Sequence, residues 1–358
     1  MTVVGTRPEL IRLCKIIRLL DDVGEHTLVH TGQNYDSNLS EIFFRDLGIR
    51  QPDYSLNARG NFSEQIASMF PQIDDLIRKI KPNRFLVLGD TNSALSAIIA
   101  KRAGVPVFHM EAGNRCFSDI VPEETNRRLV DHSSDVLLPY TERSRQHLID
   151  EGIARNRIYV TGNPIGEILH TFSSQIEQSQ ILSTLGLSSQ KYILATMHRS
   201  ENVDIKERIS SLIEGFELVS QKFNVPIIIS THPRTEAKLA EHGIKVDSNK
   251  LKFLKPFGFF DFVALQRAAK CVISDSGTAQ EECSILKIPS VTIRDVTERP
   301  ETIECGSNII SGVRSKDLVR CVTIVLSFPP NWEAPKEYQV GNVSETVVKI
   351  IGSAHIMD

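Results

Sequence analysis

The chain has 358 residues, 41% of them hydrophobic, and a formal net charge of −3 at pH 7. That is apolar material enough for two domains of ordinary size, with no charge excess to draw the chain to nucleic acid or anionic lipid. Six scattered cysteines without a C-x-x-C pair speak against a zinc site or a disulfide framework, and no apolar run nears the ~20 residues that span a bilayer.

With no signal-peptide pattern at the N-terminus, these features predict a soluble protein of a reducing cytoplasm. In chain order the strand candidates are TVVGT, HTLVHT, RFLVLGD, VPVFHME, DVLLPY and RIYVTGN, then YILATMH, VPIIIS, LKFLKP, CVISDSG and PSVTI. Most are continuous apolar runs rather than alternating ones, as parallel strands covered on both faces require. Amphipathic stretches such as PELIRLCKIIRLLDDVG and IKERISSLIEGFELVSQKF lie between them. The βαβ alternation predicts an α/β protein of two doubly wound, Rossmann-like domains facing a cleft. The Ser- and Gln-rich region near 166–188 reads as the link, which divides the chain into 1–170, 171–335 and a tail, 336–358, with a final helix in SETVVKIIGSAH.

Ligands of open α/β sheets sit at the carboxyl ends of strands, and the unusual polar clusters fall there. GTRPE (Gly5–Glu9) opens a helix with Pro8 in its first turn, free N–H groups for an anion, and Arg7 beside them. LGDTNS ends a buried strand in Asp90, with Thr91 well suited to cap the next helix. MEAGNRCFSDIVPEETNRR gathers Glu111, Asp119, Glu123 and Glu124 beside Arg115, Arg127 and Arg128. The helix dipole accounts for one glutamate at the start of EETNRRLVDH, but not for the whole set. TMHRSEN and STHPRT put His198–Arg199 and His232–Arg234 at consecutive strand ends, which suggests an anion pocket; no third soft ligand sits at metal spacing. SDSGTAQEE runs a strand into Ser276, Gly277 and Thr278 at a helix start, which suits a diphosphate. Glu282, one turn further in, could hold ribose hydroxyls. Neither G-x-G-x-x-G nor a P-loop is present, so dinucleotide binding and P-loop chemistry have no motif.

GTRPE, GDTNS, EAGNR, PEETNRR, MHRSEN, DSGTAQEE and RDVTERPE occur in this order over most of the chain. Together they resemble the non-hydrolysing UDP-N-acetylglucosamine 2-epimerase family, whose architecture is the two-Rossmann GT-B type. EAGNRCF and VPEETNRR are most similar to the branch that converts UDP-2-acetamido-2,6-dideoxy-L-talose to UDP-N-acetyl-L-fucosamine for capsule or O-antigen. The UDP-GlcNAc enzymes typically carry EAGLRTGD, GQH and HRRENLG, where this chain has EAGNRCFSD, GQN (Gly32–Asn34) and HRSENVD; Ser118 stands where the 6-deoxy branch usually has Asp.

The resemblance implies elimination of UDP to a 2-acetamidoglycal, then re-addition, without a cofactor or metal. It implies Asp90, Glu111 and Glu123 as the acid–base set, with Arg115 and Arg127 holding it and Arg12 where many members have Lys. Which carboxylate serves which face of C2 stays open. His232, Arg7 and the Ser276–Gly277–Thr278 helix end would stabilise the leaving UDP, with His198, Arg199 and Arg299 in the substrate pocket. Glu282 would bind ribose and Phe262 would pack near uracil. A homodimer is the family's habit. The rival readings are a GT-B glycosyltransferase, a hydrolysing epimerase and a catalytically silent nucleotide-sugar binder.

Overall fold

Short β-branched runs flanked by polar turns become strands because each can be covered on both faces by the amphipathic helices that follow it. The computed structural model describes residues 1–33, 44–244, 246 and 250–353. They fall into two compact units, Met1–Ile168 joined by the chain from Glu337 onward, and Leu169–Lys336.

In the first unit the strands are β1 (Thr2–Val4), β2 (Leu28–His30), β3 (Tyr54–Ser55), β4 (Phe85–Leu88), β5 (Val107–Met110) and β6 (Val136–Leu138). They pair in the order β3-β2-β1-β4-β5-β6, all parallel. Its main helices are α1 (Arg7–Val23), α2 (Phe62–Ile80), α3 (Ser96–Arg102), α4 (Glu123–Ser133) and α5 (Glu142–Asp150). In α1, Leu10, Leu13, Cys14 and Ile17 recur at helical spacing and are buried.

The second unit repeats the plan. Its strands are β7 (Ile193–Met197), β8 (Ile227–Thr231), β9 (Leu251–Leu254), β10 (Val272–Ser274), β11 (Ser290–Thr292) and β12 (Asn308–Ile310), ordered β12-β11-β10-β7-β8-β9 and all parallel. The chain enters it through α6 (Pro164–Thr171), and α7 (Lys206–Phe223), α8 (Pro233–Glu241), α9 (Phe259–Ala268), α10 (Gly277–Leu286) and α11 (Ser315–Ser327) follow. Ile193, Ile227, Ile229 and Ile273 pack one face of this sheet under α7 and α11; Leu194, Ile228 and Val272 pack the other with Leu265 of α9.

Each sheet therefore has one switch point, between β1 and β4 in the first unit and between β7 and β10 in the second, where loops diverge to opposite faces and leave room for a ligand.

Several expectations change. RIYVTGN is not a strand: its only ladder contact is one bridge, Leu137 to Ile158. Two strands were not foreseen, β3 and β12, because YS is too short and NII too polar at its start to signal one. The expected tail is not a separate piece: α12 (Val343–Gly352) packs on α1 in the first unit. Glu167 fixes it there, accepting from Ser344 N (3.0 Å) and Ser344 Oγ (2.7 Å) with one oxygen and from Lys15 Nζ (2.7 Å) with the other. Asn34 of the GQN motif and the last two residues of SETVVKIIGSAH lie outside the described residues. Among the described residues, no helix is long and apolar enough to cross a membrane.

Candidate active site

At the first unit's switch point, the turn after β1 meets the turn after β4. Gly5 is required there because a Cβ would collide with the Ser93 and Thr31 hydroxyls. Glu9 sits beneath the two turns, 1% exposed. Its Oε2 accepts from Gly5 N (3.0 Å), Thr6 N (2.7 Å) and Thr6 Oγ1 (2.7 Å), and Oε1 from Thr91 Oγ1 (3.0 Å). Burial pushes its carboxyl up to about 7, against the pull of these hydrogen bonds. Arg7, partly exposed, is the first residue of α1.

The carboxylates lie on the neighbouring strand ends. Leu88 of β4 is in register with Met110 of β5, so Gly89 stands beside Glu111 and Asp90 follows one residue further along. A Cβ on Gly89 would lie 3.9 Å from the Glu111 carboxyl. Glu111 is buried, at φ 64°, and pairs with the Arg12 guanidinium of α1. A non-glycine residue in the left-handed region costs on the order of 1–3 kcal/mol and persists where its surroundings over-determine it. Arg12 also lies 5.9 Å over the Tyr140 ring. Asp90 keeps a partly exposed side chain and pairs with Arg127 of α4 at 2.7 Å, and Asn126 Nδ2 donates to its carbonyl at 2.9 Å. Glu123 opens α4 and is half-buried. Two carboxylates are thus each matched to a buried arginine, and a third opens the helix that carries one of those arginines.

The remaining charges of that stretch hold the loop. Glu124 accepts from the backbone N–H groups of Cys116 (3.1 Å) and Phe117 (3.2 Å) and from Arg127 Nη1 (2.8 Å). Burial works to raise its pKa, but these donors hold it below the usual range. Arg115, expected to hold the acid–base set at the substrate, is instead fully buried between Asp131 (2.8 Å) and Glu151 (2.6 Å). Desolvation is satisfied there by two carboxylates, and the side chain has no exposed surface to offer a ligand.

In the second unit, Thr196 Oγ1 and Ser274 Oγ, 2.7 Å apart, tie the last turns of β7 and β10 together. Beyond them, Asp275 accepts from the N–H groups of His198 (3.0 Å) and Arg199 (2.9 Å), and His198 Nδ1 lies 3.2 Å away. Burial works against its charge, but His198 and the two amides hold the Asp275 carboxyl at about 2. His232, at the end of β8, caps α8 by accepting from Arg234 N, and its ring centroid lies 6.3 Å from that of His198. Arg234 is taken up by Asp204 at the surface and does not join this group.

Ser276 precedes α10, and Gly277 and Thr278 form its first turn. A Cβ on Gly277 would stand 2.8 Å from Glu298 Oε1 and 3.6 Å from the Arg299 guanidinium, so this turn closes directly on the RDVTERPE segment. There Arg299 pairs with Glu281 and Arg294 with Glu298 (2.8 Å), while Arg199 stands 3.8 Å from Glu298. Glu282 is buried and accepts from Gln266 Nε2 at 2.8 Å. Phe262 is one turn before Gln266 on α9, so the expected uracil and ribose contacts occupy adjoining helix faces.

Sequence reading passed over Glu9, Asp275 and Glu298 as individual residues. Each lay within a quoted motif: Asp275 directly follows β10, Glu9 is in the first turn of α1, and Glu298 is in the segment after β11.

Two parallel sheets of 3-2-1-4-5-6 order, each carrying its charged groups at the carboxyl edge of the switch point, define a GT-B-class protein of two Rossmann-like units. A glycosyltransferase involved in lipopolysaccharide biosynthesis shares this fold alone, at 12% identity and TM-score 0.61 over 99% of both chains. The family model described as UDP-N-acetylglucosamine 2-epimerase matches residues 20–352. The UDP-N-acetylglucosamine 2-epimerase of Methanocaldococcus jannaschii is 39% identical over 98% of this chain and 97% of its own. The crystal structure of that enzyme with UDP-GlcNAc and UDP superposes at TM-score 0.93, covering 98% of both chains. The UDP-2,3-diacetamido-2,3-dideoxy-D-glucuronate 2-epimerase of Pseudomonas aeruginosa is 36% identical over 89% of each chain. This chain belongs to the UDP-N-acetylglucosamine 2-epimerase family, and it is an isomerase, a UDP-sugar 2-epimerase.

Proposed function

We propose that the chain converts UDP-2-acetamido-2,6-dideoxy-L-talose to UDP-N-acetyl-L-fucosamine, a precursor of capsule or O-antigen. The observation that carries the chemistry is the pair at the β4 and β5 ends, Asp90 on Arg127 and Glu111 on Arg12 in a left-handed backbone; Glu123, the third carboxylate of the reading, opens the helix that carries Arg127. The C2–H of a UDP-sugar is not acidic in the ground state. As the C1–O bond to UDP breaks, positive charge at C1 acidifies it. One carboxylate then takes the C2 proton and leaves a 2-acetamidoglycal; another delivers a proton to the opposite face, and UDP adds back to C1. Atoms balance without a redox step or cofactor.

The leaving diphosphate would be held by the N–H groups of Ser276, Gly277 and Thr278 with Arg7, Arg199, Arg299, His198 and His232, and the nucleoside by Glu282 and Phe262. Buried arginines keep the carboxylates in place between turnovers. The 6-deoxy sugar is supported by the EAGNRCF and VPEETNRR segments, in which Asn114, Cys116 and Phe117 form the loop pinned by Glu124. The same reading makes the protein a cytoplasmic homodimer.

A second reading, UDP-GlcNAc to UDP-ManNAc, is favoured by the name of the 39% identical M. jannaschii relative. The P. aeruginosa relative is named for a third sugar, so the family name alone does not fix the substrate. Offering both UDP-sugars separately and following the C2 epimer by NMR decides between them: product from the deoxytalose alone supports the proposal, and product from UDP-GlcNAc alone replaces it. Glu111→Gln is expected to abolish turnover with UDP affinity within a few-fold of wild type. Retained activity would remove Glu111 from the acid–base set.

A further inference from the structure

One buried ion pair in the first unit, His109 with Asp131, joins the segments that bear the carboxylates and has no part in the chemistry above. His109 lies within β5, 1% exposed, and Asp131 within α4, with no exposed surface. His109 Nδ1 is 2.8 Å from Asp131 Oδ1, and Nε2 is 2.8 Å from the Gly89 carbonyl oxygen. A carbonyl oxygen only accepts, so Nε2 carries a proton. Asp131 Oδ2 accepts from Gly113 N (3.1 Å) and Arg115 Nη2 (2.8 Å). The always-charged Arg115 guanidinium and the Gly113 N–H, both donating to it, keep Asp131 ionised. An ionised carboxylate also only accepts, so Nδ1 carries a proton too. Both ring nitrogens donate.

The three segments this pair joins are the ones that bear the acid–base set. Gly89 offers its carbonyl from the peptide just before Asp90. Gly113 follows Glu111 by two residues in the same turn. Asp131 belongs to α4, whose first residue is Glu123 and whose Arg127 holds Asp90. The charges facing the pair run in alternation from His109 to Asp131, Arg115 and Glu151, with His132 Nε2 3.7 Å from Glu151 at the exposed end. A chain of alternating sign adds little net field at the carboxylates above it. Its effect on the site is geometric.

We propose that His109, held as an imidazolium between Gly89 and Asp131, is a positioning residue that sets Asp90, Glu111 and Glu123 in mutual register for proton transfer at C2. The role rests on the epimerase reading. A neutral ring would turn one of the two 2.8 Å contacts into a meeting of lone pairs, loosening either the Asp90 turn or α4.

The first arm of the test needs no substrate. Long-range proton–nitrogen NMR of the full chain with ¹⁵N-histidine is expected to show both His109 nitrogens as N–H under assay conditions. The signal is assigned by its loss in His109→Gln or, should that chain not fold, by replacing the other histidines in turn. A single unprotonated nitrogen overturns the proposal and leaves the epimerase reading standing. The second arm is kinetic. Folded His109→Gln, with active sites counted by UDP-binding stoichiometry, is expected to lose about 100-fold in kcat, the scale for displacing a reacting group by about 1 Å. KM and UDP affinity are expected within threefold or so, since the groups assigned to the nucleotide, Arg7 apart, belong to the second unit. Wild-type kcat in that variant, or a loss confined to KM, contradicts the role. A wild-type chain that exchanges no C2 proton would instead remove the epimerase reading itself.

Discussion

Replacing Glu9 by glutamine tests whether the carboxyl at the first switch point is a proton-binding group or only a hub of hydrogen bonds. In the folded chain burial holds Glu9 at about 7, against an ordinary value of 4.5. The folded state therefore binds this proton more tightly than the unfolded chain. The stabilisation is complete below the unfolded value and is lost as pH rises through the folded one, between roughly 4.5 and 7. At about 1.4 kcal/mol per pH unit, wild type should lose on the order of 3 kcal/mol across that window from this group alone. In Glu9→Gln the new side chain mimics the protonated acid: its carbonyl can accept from Gly5 and Thr6 N–H, and its amide can donate to Thr91 Oγ1. Urea unfolding followed by circular dichroism at about pH 5 and about pH 8, on both chains, gives the double difference. The variant should match wild type within about 1 kcal/mol at the lower pH and exceed it by roughly 3 kcal/mol at the higher. A difference between the chains that does not change with pH would refute the reasoning and make Glu9 a permanently ionised anchor.

Other perturbations follow from the same contacts. Gly277→Ala places a methyl group 2.8 Å from the buried Glu298 carboxylate. Accommodating it should cost roughly 1–3 kcal/mol, read by calorimetry as UDP binding weakened about 10- to 100-fold with the fold intact. Ser344→Ala removes the hydroxyl that donates to Glu167 across α12 and the first unit. The expected loss is roughly 2 kcal/mol in urea unfolding, as for a hydrogen bond to a charged group, with C2 epimerisation unaffected below the transition.

Strand positions were legible because parallel strands buried on both faces must be continuous apolar runs, and ten of the eleven segments named from sequence contain a strand. β3 and β12 escaped because an edge strand of two or three residues needs no such run. RIYVTGN carried the run but forms only a bridge. The motifs likewise fall where the apolar runs stop, since a ligand-binding edge would put glycine, caps and charges there. What spacing could not reveal was the direction a charge turns. Arg115 and Arg127 lie in one charged stretch, yet one is buried on Asp131 and Glu151 and the other reaches Asp90. Glu123 and Glu124 are adjacent, and spacing did not show that the second would accept from the Cys116 and Phe117 N–H groups. His109 read as part of a strand, because its partners, Gly89 and Asp131, are 20 and 22 residues away in sequence.

The central claim is that C2 is inverted by removing and replacing its proton while UDP is detached. Running the reaction in D2O with UDP-2-acetamido-2,6-dideoxy-L-talose, and following C2 by proton NMR, tests it most directly. The account predicts that every molecule of the C2 epimer carries deuterium at C2, and that recovered substrate gains deuterium as the reaction approaches equilibrium. Epimer formed with its original C2 proton retained, or deuterium-free turnover to UDP and free sugar, would contradict it.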